Sequence, residues 1–300
     1  MFLIKHMNMP AITRFAPSPT GLLHLGHAVA ALVAMDVAQQ SGGRFLLRMD
    51  DIDASRCRAE FETAIYADLH WLGLTWSAPV RRQSDHLPDY QAALERLARM
   101  ELIYPCFCTR KEILREAASA QDAPHGDDGP RYPGTCRNLS LSERNNRLQA
   151  GAGIALRLDC AKAMVKAGDQ MEFYEHGLGP EGQTGIIIAR PDLPGDIVLA
   201  RTGNNGVENC SYHLAVIMDD AAQNINCVTR GRDLFFATHI QRLLQTLLEL
   251  PTPEYLHHQL AVDAAGKRLA KRHDALSLRQ LREQGLTPEQ VRKMARAVTG

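Results

Sequence analysis

Residues 11–43 admit few folds. Ala11-Ile12-Thr13-Arg14-Phe15 reads as a strand, and Pro17 and Pro19 end it, because proline cannot donate to a sheet ladder. Gly21 permits a turn. The stretch from Leu22 through Ala38 is Ala-rich and free of proline, so it reads as a helix that stops at Ser41-Gly42-Gly43. A strand, a tight turn and a helix N-terminus make a place for an anion, since open backbone N–H groups and the helix dipole both favour negative charge there. On that helix His24 and His27 fall at i and i+3, on one face of the first turn. Two imidazoles there can donate to phosphate oxygens, and Gly26 between them lets a nucleotide lie close. Taken alone, His-x-Gly-His fits a strand and helix with two surface histidines equally well.

The totals narrow the class. A chain of 300 residues holds one large or two smaller domains, and 45% hydrophobic content supports an ordinary globular core. Lys plus Arg equal Asp plus Glu, 34 each, so bulk charge announces no nucleic-acid partner. The C-terminal stretch 267–300 is locally basic, which suits a phosphate backbone, although a solvated helix face looks the same. MFLIKHMNMP is too short and polar for a secretory signal, and no apolar run approaches a membrane span. Seven cysteines, an odd number, argue against a disulfide framework and leave metal or buried thiols. These features predict a cytoplasmic protein with no membrane partner. Ala117 to Gly129 (AASAQDAPHGDDG) reads as a flexible loop.

Further along, Arg44 to Asp50 reads as a buried second strand ending in the acidic turn Asp50-Asp51-Ile52-Asp53, with a helix from about Glu60 to Leu72. Arg81-Arg82-Gln83-Ser84 introduces a third strand, and Leu87 to Glu101 is a helix. Alternating strands and helices with polar groups at strand ends predict an α/β, doubly wound parallel sheet, whose sites lie beyond the carboxyl ends of the strands. Residues 150–190 look β-rich, Tyr212 to Asp220 reads as a strand ending in two acids, and Val228 to Leu234 as a strand and turn before a helix to about Leu250. Gly266-Lys267-Arg268-Leu269-Ala270-Lys271-Arg272 is a basic loop. Cys106-x-Cys108 offers two thiols to one metal, and Cys136 follows. Zinc wants four ligands, so the fourth is open, and three reduced structural thiols are the alternative.

Arg14 to His27, RFAPSPTGLLHLGH, resembles the signature R-F-A-P-S-P-T-G-x-L-H-x-G-H of the glutamyl branch of class I aminoacyl-tRNA synthetases. Tyr212 to Asp220 resembles that family's Y-x-L-A-V-x-x-D-D, Val228 to Leu234 its V-x-R-G-x-D-L, and Asp196 to Arg201 its D-F-x-x-x-R. The resemblance runs over about residues 11–275. It implies a Rossmann-like catalytic sheet in two halves (10–103 and 191–255), an inserted acceptor-binding subdomain (104–190) and an ATP-loop and helical region (256–300). It implies ATP-dependent formation of glutamyl-adenylate, with Mg²⁺ arriving on ATP. Pro17, Thr20, His24, Gly26, His27, Arg268 and Lys271 would bind ATP, with His24, His27 and Lys271 catalytic. Arg14, Ala16, Ser18, Asp50, Tyr212 and Arg230 would bind L-glutamate.

Three positions depart from the family. Arg268 and Ala270 stand where its mobile loop K-L/M-S-K has Lys and Ser, and losing the hydroxyl removes about 1 kcal/mol of interaction. Asp50 stands one methylene short of the family's Glu, which bears on amino-acid binding. In one branch, the glutamyl-queuosine tRNA(Asp) synthetases, the cysteine pattern is Cys-x-Cys…Tyr-x-x-x-Cys. Cys106, Cys108, Tyr132 and Cys136 match it as ligands of one structural Zn²⁺, with His125 the rival fourth ligand. That branch is truncated, and this chain stops at Gly300 soon after the basic loop. The resemblance therefore implies a monomer that activates glutamate without tRNA and attaches it to queuosine in the anticodon loop of tRNA(Asp). A conventional glutamyl-tRNA synthetase catalytic half, or a synthetase-like protein that binds ATP and tRNA without catalysis, are the alternatives.

Overall fold

Strand β1 (Ile12–Phe15), helix α1 (Leu25–Gln40) and strand β2 (Arg44–Met49) form the first strand–helix–strand unit. Gly43 sits where a Cβ would come within 1.9 Å of the Ala11 carbonyl oxygen, so the chain needs glycine to start β2 beside β1. Helix α2 (Ala59–Trp71), strand β3 (Ser77–Arg82) and helix α3 (Leu87–Arg99) follow, and β1, β2 and β3 are parallel neighbours in that order. In α3, Tyr90, Ala93, Leu94 and Leu97 are buried, the spacing of one apolar face. The structure is a computed structural model that describes residues 9–119, 125–126, 129–130, 132–150, 154–203, 206–260 and 276–297.

Strand β4 (Ile103–Cys106) opens a different sheet. After it come helix α4 (Arg110–Ser119), the paired short strands β5 (His125–Gly126) and β6 (Gly129–Pro130), helix α5 (Leu141–Gln149), strand β7 (Ile154–Leu158) and helix α6 (Cys160–Ala167). Strands β8 (Glu172–Glu175) and β9 (Gly185–Ile188) pair antiparallel. Strands β10 (Val198–Gly203) and β11 (Gly206–Cys210) complete an antiparallel sheet in the order β11-β10-β7-β4.

The chain then returns to the parallel layer through helix α7 (Tyr212–Ala222), strand β12 (Cys227–Gly231), helix α8 (Phe235–Leu247) and strand β13 (Glu254–His258). Here the order is β12-β13-β8-β9, with β12, β13 and β8 parallel. β12 lies beside β1, where the Ile12 N–H donates to Asn226 Oδ1 at 2.7 Å and the Asn226 N–H to the Ile12 carbonyl at 3.3 Å. The parallel layer thus runs β3-β2-β1-β12-β13, the doubly wound order with its switch point between β1 and β12. One core lies between α1, α2 and the sheet, including Val29, Val33, Leu47 and Leu69; another lies under α3, α7 and α8, including Leu97, Ile217, Leu243 and Tyr255. Helices α9 (Leu278–Glu283) and α10 (Pro288–Ala297) pack on α2 and α1.

The expected α/β doubly wound sheet is present, with three local corrections. Tyr212 to Asp220 is helical, not a strand. Leu214, Ala215, Val216 and Ile217 are all buried in succession, and an unbroken apolar run carries no period that separates helix from strand. Arg81-Arg82-Gln83-Ser84 closes the third strand rather than opening it, since β3 ends at Arg82. The first helix begins at Leu25, so His24 caps it instead of lying within it. Of the expected loop at 117–129, residues 117–119 belong to α4, and His125–Gly126 and Gly129–Pro130 form the short strand pair.

Candidate active site and metal centre

The turn between β1 and α1 is tied to the end of β2 and the start of α2: the Asp50 N–H donates to the Pro17 carbonyl at 3.0 Å and the Arg58 N–H to the Pro19 carbonyl at 3.0 Å. The Thr20 N–H donates to the Ser18 carbonyl at 2.8 Å, leaving Ser18 exposed and Ala16 half-buried at the rim. At the helix start the Gly26 N–H donates to His24 Nδ1 and the His24 N–H to His27 Nδ1, both at 3.1 Å. The helix N-terminus expected to be open is therefore capped by the very histidines expected to serve phosphate. An imidazole that accepts at Nδ1 carries its proton at Nε2 when neutral, so the cap selects the tautomer in which each ring donates from its outer nitrogen. The two rings lie 3.9 Å apart.

Ser277, the residue before α9, forms a bridge to His24, and the Leu278 N–H donates to the Leu23 carbonyl at 2.8 Å. In sequence, the basic stretch 266–272 falls between β13 and Ser277. Arg268 and Lys271 themselves lie outside the described residues.

Beneath the turn lies a buried arginine–aspartate cluster. Arg14 Nε donates to Asp220 Oδ1 at 2.8 Å, and Arg14 Nη2 to Asp220 Oδ2 at 3.2 Å. Arg48, wholly buried, donates from Nη1 to Asp220 at 2.6 Å and from Nε to Asp50 at 2.7 Å. Asp219 accepts from Arg81 Nε (2.7 Å), Gln83 Nε2 (2.9 Å) and the Tyr90 hydroxyl (2.8 Å). Burial alone would raise Asp220, but Arg14 and Arg48 outweigh it and hold its carboxyl below the ordinary value. Burial raises Asp50 against the pull of Arg48. Arg14 and Asp50, both expected to face substrate, thus spend their charges on protein partners. The neighbouring Asp51 accepts from the Ser84 N–H at 2.9 Å and fastens the acidic turn to the end of β3.

Arg230 is built differently. It is buried on β12, yet its hydrogen-bond partners among the described residues are all neutral groups: His257 Nε2 (3.0 Å), the Tyr212 hydroxyl (3.3 Å), Gln241 Oε1 (2.9 Å) and Thr238 Oγ1 (2.6 Å). Gln241 Nε2 is buried beside it with no partner among the described residues. The structure brings Tyr212 and Arg230 together, as expected of one pocket. Thr238, Gln241, His257 and Arg48 escaped the sequence reading. The run Tyr255-Leu256-His257-His258, two histidines in a strand just before the basic loop, was the available signal.

The cysteines converge. Cys108 Sγ lies 3.5 Å from Cys136 Sγ, and the Tyr132 hydroxyl lies 3.3 Å from Cys106 Sγ and 3.5 Å from Cys108 Sγ. A tetrahedral zinc with Zn–S of ~2.3 Å and Zn–O of ~2.0 Å places its ligand atoms roughly 3.5–3.8 Å apart, so this cluster fits the ion. Among the described residues, the three thiols form a group that could hold a metal ion, their sulfurs all within 4.8 Å of one another. Burial pushes the Cys108 thiol up to about 12, whereas Cys136, despite burial, is held low by hydrogen bonds from Tyr132 and from the Phe107 N–H. The Arg157 guanidinium stacks 3.9 Å above the Tyr132 ring. Asp196 accepts from the Tyr104 hydroxyl (2.5 Å) and from Arg137 Nε (2.8 Å), fastening both flanks of the cluster to one carboxylate. The side chain of His125, the rival ligand, lies outside the described residues.

Residues 11–298 match the model of one protein family, the tRNA synthetases class I (E and Q), catalytic domain. The chain is 49% identical over 288 residues to a glutamyl-Q tRNA(Asp) synthetase of Rhodobacter capsulatus, covering 94% of this chain and 99% of that one. It is 43% identical over 283 residues to a glutamyl-Q tRNA(Asp) synthetase of Nitratidesulfovibrio vulgaris, covering 91% of this chain and 81% of that one. A crystal structure of a glutamate tRNA ligase from Elizabethkingia meningosepticum in complex with its amino acid is similar with a TM-score of 0.68 at 25% identity. That match covers 92% of this chain and 53% of the other, so this chain spans about half its length.

Proposed function

Because the chain belongs to the class I tRNA synthetases of glutamyl and glutaminyl type, within their glutamyl-Q tRNA(Asp) synthetase group, and is a ligase, we propose that it activates L-glutamate with ATP in the absence of tRNA and transfers it to the queuosine base in the anticodon loop of tRNA(Asp). The observation that carries the substrate assignment is Arg230. A buried guanidinium bonded, among the described residues, only to neutral groups retains its charge for a ligand carboxylate, and Gln241 Nε2 beside it, without a partner among those residues, adds a donor.

In the first step a glutamate α-carboxylate oxygen attacks the α-phosphorus of ATP, the bond to the bridging oxygen breaks, and pyrophosphate leaves with its Mg²⁺. In the second, a nucleophilic group of the queuosine base takes the glutamyl carbonyl and AMP leaves. The protein positions the reactants and stabilises phosphate charge. His24 and His27 donate from Nε2 to the phosphates at the α1 N-terminus, beside Pro17, Thr20 and Gly26. Lys271, with Arg268, closes over the pyrophosphate from a loop whose return point is pinned at His24. Arg230 and Tyr212 take a glutamate carboxylate. Ala16, Ser18 and Asp50 line the amino-acid side, where Arg14 acts through Asp220 rather than by direct contact.

Cys106, Cys108, Cys136 and Tyr132 would hold one Zn²⁺ with a structural role, supplying a rigid knot in an acceptor-binding insertion at 104–190; metal analysis by mass spectrometry tests this, with Cys136→Ala losing the ion. The flanking segments 10–103 and 191–255 form the two catalytic halves, with 256–300 as loop and helical region. The protein would act as a cytoplasmic monomer. No helix among the described residues is long and apolar enough to cross a membrane.

Glutamate-dependent ATP–pyrophosphate exchange without tRNA tests the reading. Exchange is the expected result, and Lys271→Ala should slow it strongly. Exchange only with tRNA(Glu) would make the chain a conventional glutamyl enzyme. ATP binding without any exchange would make it a binding protein.

A further inference from the structure

Three residues from three adjacent strands form a buried chain. Glu175 ends β8, His257 stands in β13, and Arg230 stands in β12. The side chains of Glu175 and His257 are wholly buried. His257 Nδ1 and Glu175 Oε2 lie 2.5 Å apart, and Glu175 Oε1 accepts from the backbone N–H groups of Gly177 (2.8 Å) and His257 (2.9 Å). At the other edge of the ring, Arg230 Nε donates to His257 Nε2 at 3.0 Å.

These contacts leave one proton arrangement. An arginine N–H can only donate, so His257 Nε2 carries a lone pair. The ring proton then sits on Nδ1 and points at Glu175, which as a carboxylate can only accept. Glu175 therefore selects the tautomer, and the tautomer supplies the acceptor for Arg230. Burial pushes His257 down to about 4, so the ring stays neutral at physiological pH. Thr238 Oγ1 and Gln241 Oε1 take Nη2 and Nη1, so the guanidinium is fixed at three nitrogens by neutral groups. The backbone closes tightly over the carboxylate: a Cβ on Gly177 would fall 2.3 Å from the His257 carbonyl oxygen and 2.9 Å from Glu175 Oε1.

A carboxylate bonded straight to Arg230 would orient it equally well, as Asp220 orients Arg14. It would also neutralise it. An imidazole placed between the two orients the guanidinium while keeping the counter-charge one ring away. We propose that Glu175 and His257 are positioning residues that fix Arg230 for the substrate carboxylate, an assignment that rests on Arg230 holding glutamate.

The test is pyrophosphate exchange by the full chain, with glutamate and ATP varied separately. Glu175→Gln keeps the shape but turns an NH₂ toward Nδ1, which drives the ring proton to Nε2 and sets it against the Arg230 N–H. The expected result is a KM for glutamate raised about tenfold or more, with the KM for ATP within about twofold of wild type. Adding His257→Gln to that variant restores an oxygen that can face Arg230 whatever the residue at 175 presents. The double variant should recover part of the lost glutamate affinity, whereas a relay that merely props up the fold predicts a second loss. An unchanged glutamate KM in Glu175→Gln, or a double variant worse than the single, overturns the proposal. Arg230→Ala separates the two levels: an unchanged glutamate KM there defeats the pocket reading itself, while a raised one alongside a silent Glu175→Gln defeats only the relay. If Glu175→Gln does not fold, nitrogen-15 chemical shifts of His257 in the wild-type chain decide. A protonated Nδ1 and bare Nε2 are expected, and the opposite tautomer refutes the assignment.

Discussion

The protein buries arginines in two ways, on strands of one parallel layer. In the cluster beneath the β1 turn, Arg14 and Arg48 bond directly to Asp220 and Asp50. On β12, Arg230 bonds to a histidine, a threonine, a glutamine and a tyrosine, with Glu175 held off behind the histidine. The first arrangement satisfies its charges internally and joins α7 to β1 and β2. The second fixes the shape of a cation with neutral groups and, in the function we propose, leaves its charge to a ligand. Burial of an arginine is thus a poor guide to its role; the charge state of its partners is the informative quantity.

The largest effect expected from breaking this contrast is on stability at Asp220. Asp220→Ala strips the direct counter-ion from two buried arginines and should cost about 3–5 kcal/mol in urea unfolding. A loss under about 1 kcal/mol would mean the cluster is not held by charge. Arg230→Ala should do less to stability, because it abandons mostly neutral acceptors, but should raise the KM for glutamate roughly 100-fold in pyrophosphate exchange. If the two substitutions gave the same pattern, the distinction between the sites would collapse.

Acid should separate the regions as well. Burial holds His239 and His257 down to about 4 against an ordinary 6.5. Between those values the unfolded chain takes up protons that the folded chain refuses, so stability falls as pH drops through that window, by about 2 kcal/mol per histidine at pH 5. Asp220 is held low, so its contribution is present above the ordinary carboxylate pKa of about 3.9 and disappears only as pH falls below it. Urea titrations at pH 7, 6 and 5 read the first loss, and a flat profile would contradict it. The smallest effect belongs to Tyr212→Phe. The tyrosine is 39% exposed and its hydroxyl bond to Arg230 is long at 3.3 Å, so glutamate KM should rise only about threefold.

Much of the site was visible in the chain because its signals are local. The prolines and Gly21 shaped the β1–α1 turn, and Cys-x-Cys with a Tyr and a Cys downstream marked the cluster that the fold assembles. What stayed hidden depends on partners far away in sequence. The resemblance made Arg14 a substrate contact; its pairing with a carboxylate stayed hidden, because Asp220 arrives from a helix 206 residues later. That helix was itself misread, since Leu214 to Ile217 are apolar without a gap and periodicity cannot separate a buried helix from a buried strand. His24 looked like a phosphate donor within a helix, yet it is also the cap that starts it. Glu175 sits in Glu172-Phe173-Tyr174-Glu175, where one glutamate faces solvent and the other is wholly buried, and only the pairing of β8 with β13 tells them apart.

The meeting of β1 with β12 also has a history within the life of each molecule. Synthesis delivers the N-terminal half first, with Arg14 on a strand whose neighbour does not yet exist. The chain must leave the ribosome as far as Asn226 before Asp220 and Asn226 can close the sheet. Contacts this distant are slow to form, so the nascent half waits with a bare strand edge and with Arg14 lacking its carboxylate. For this protein, maturation of the site and completion of the sheet are one event that waits for β12, and a chain interrupted before β12 would expose an edge that invites aggregation.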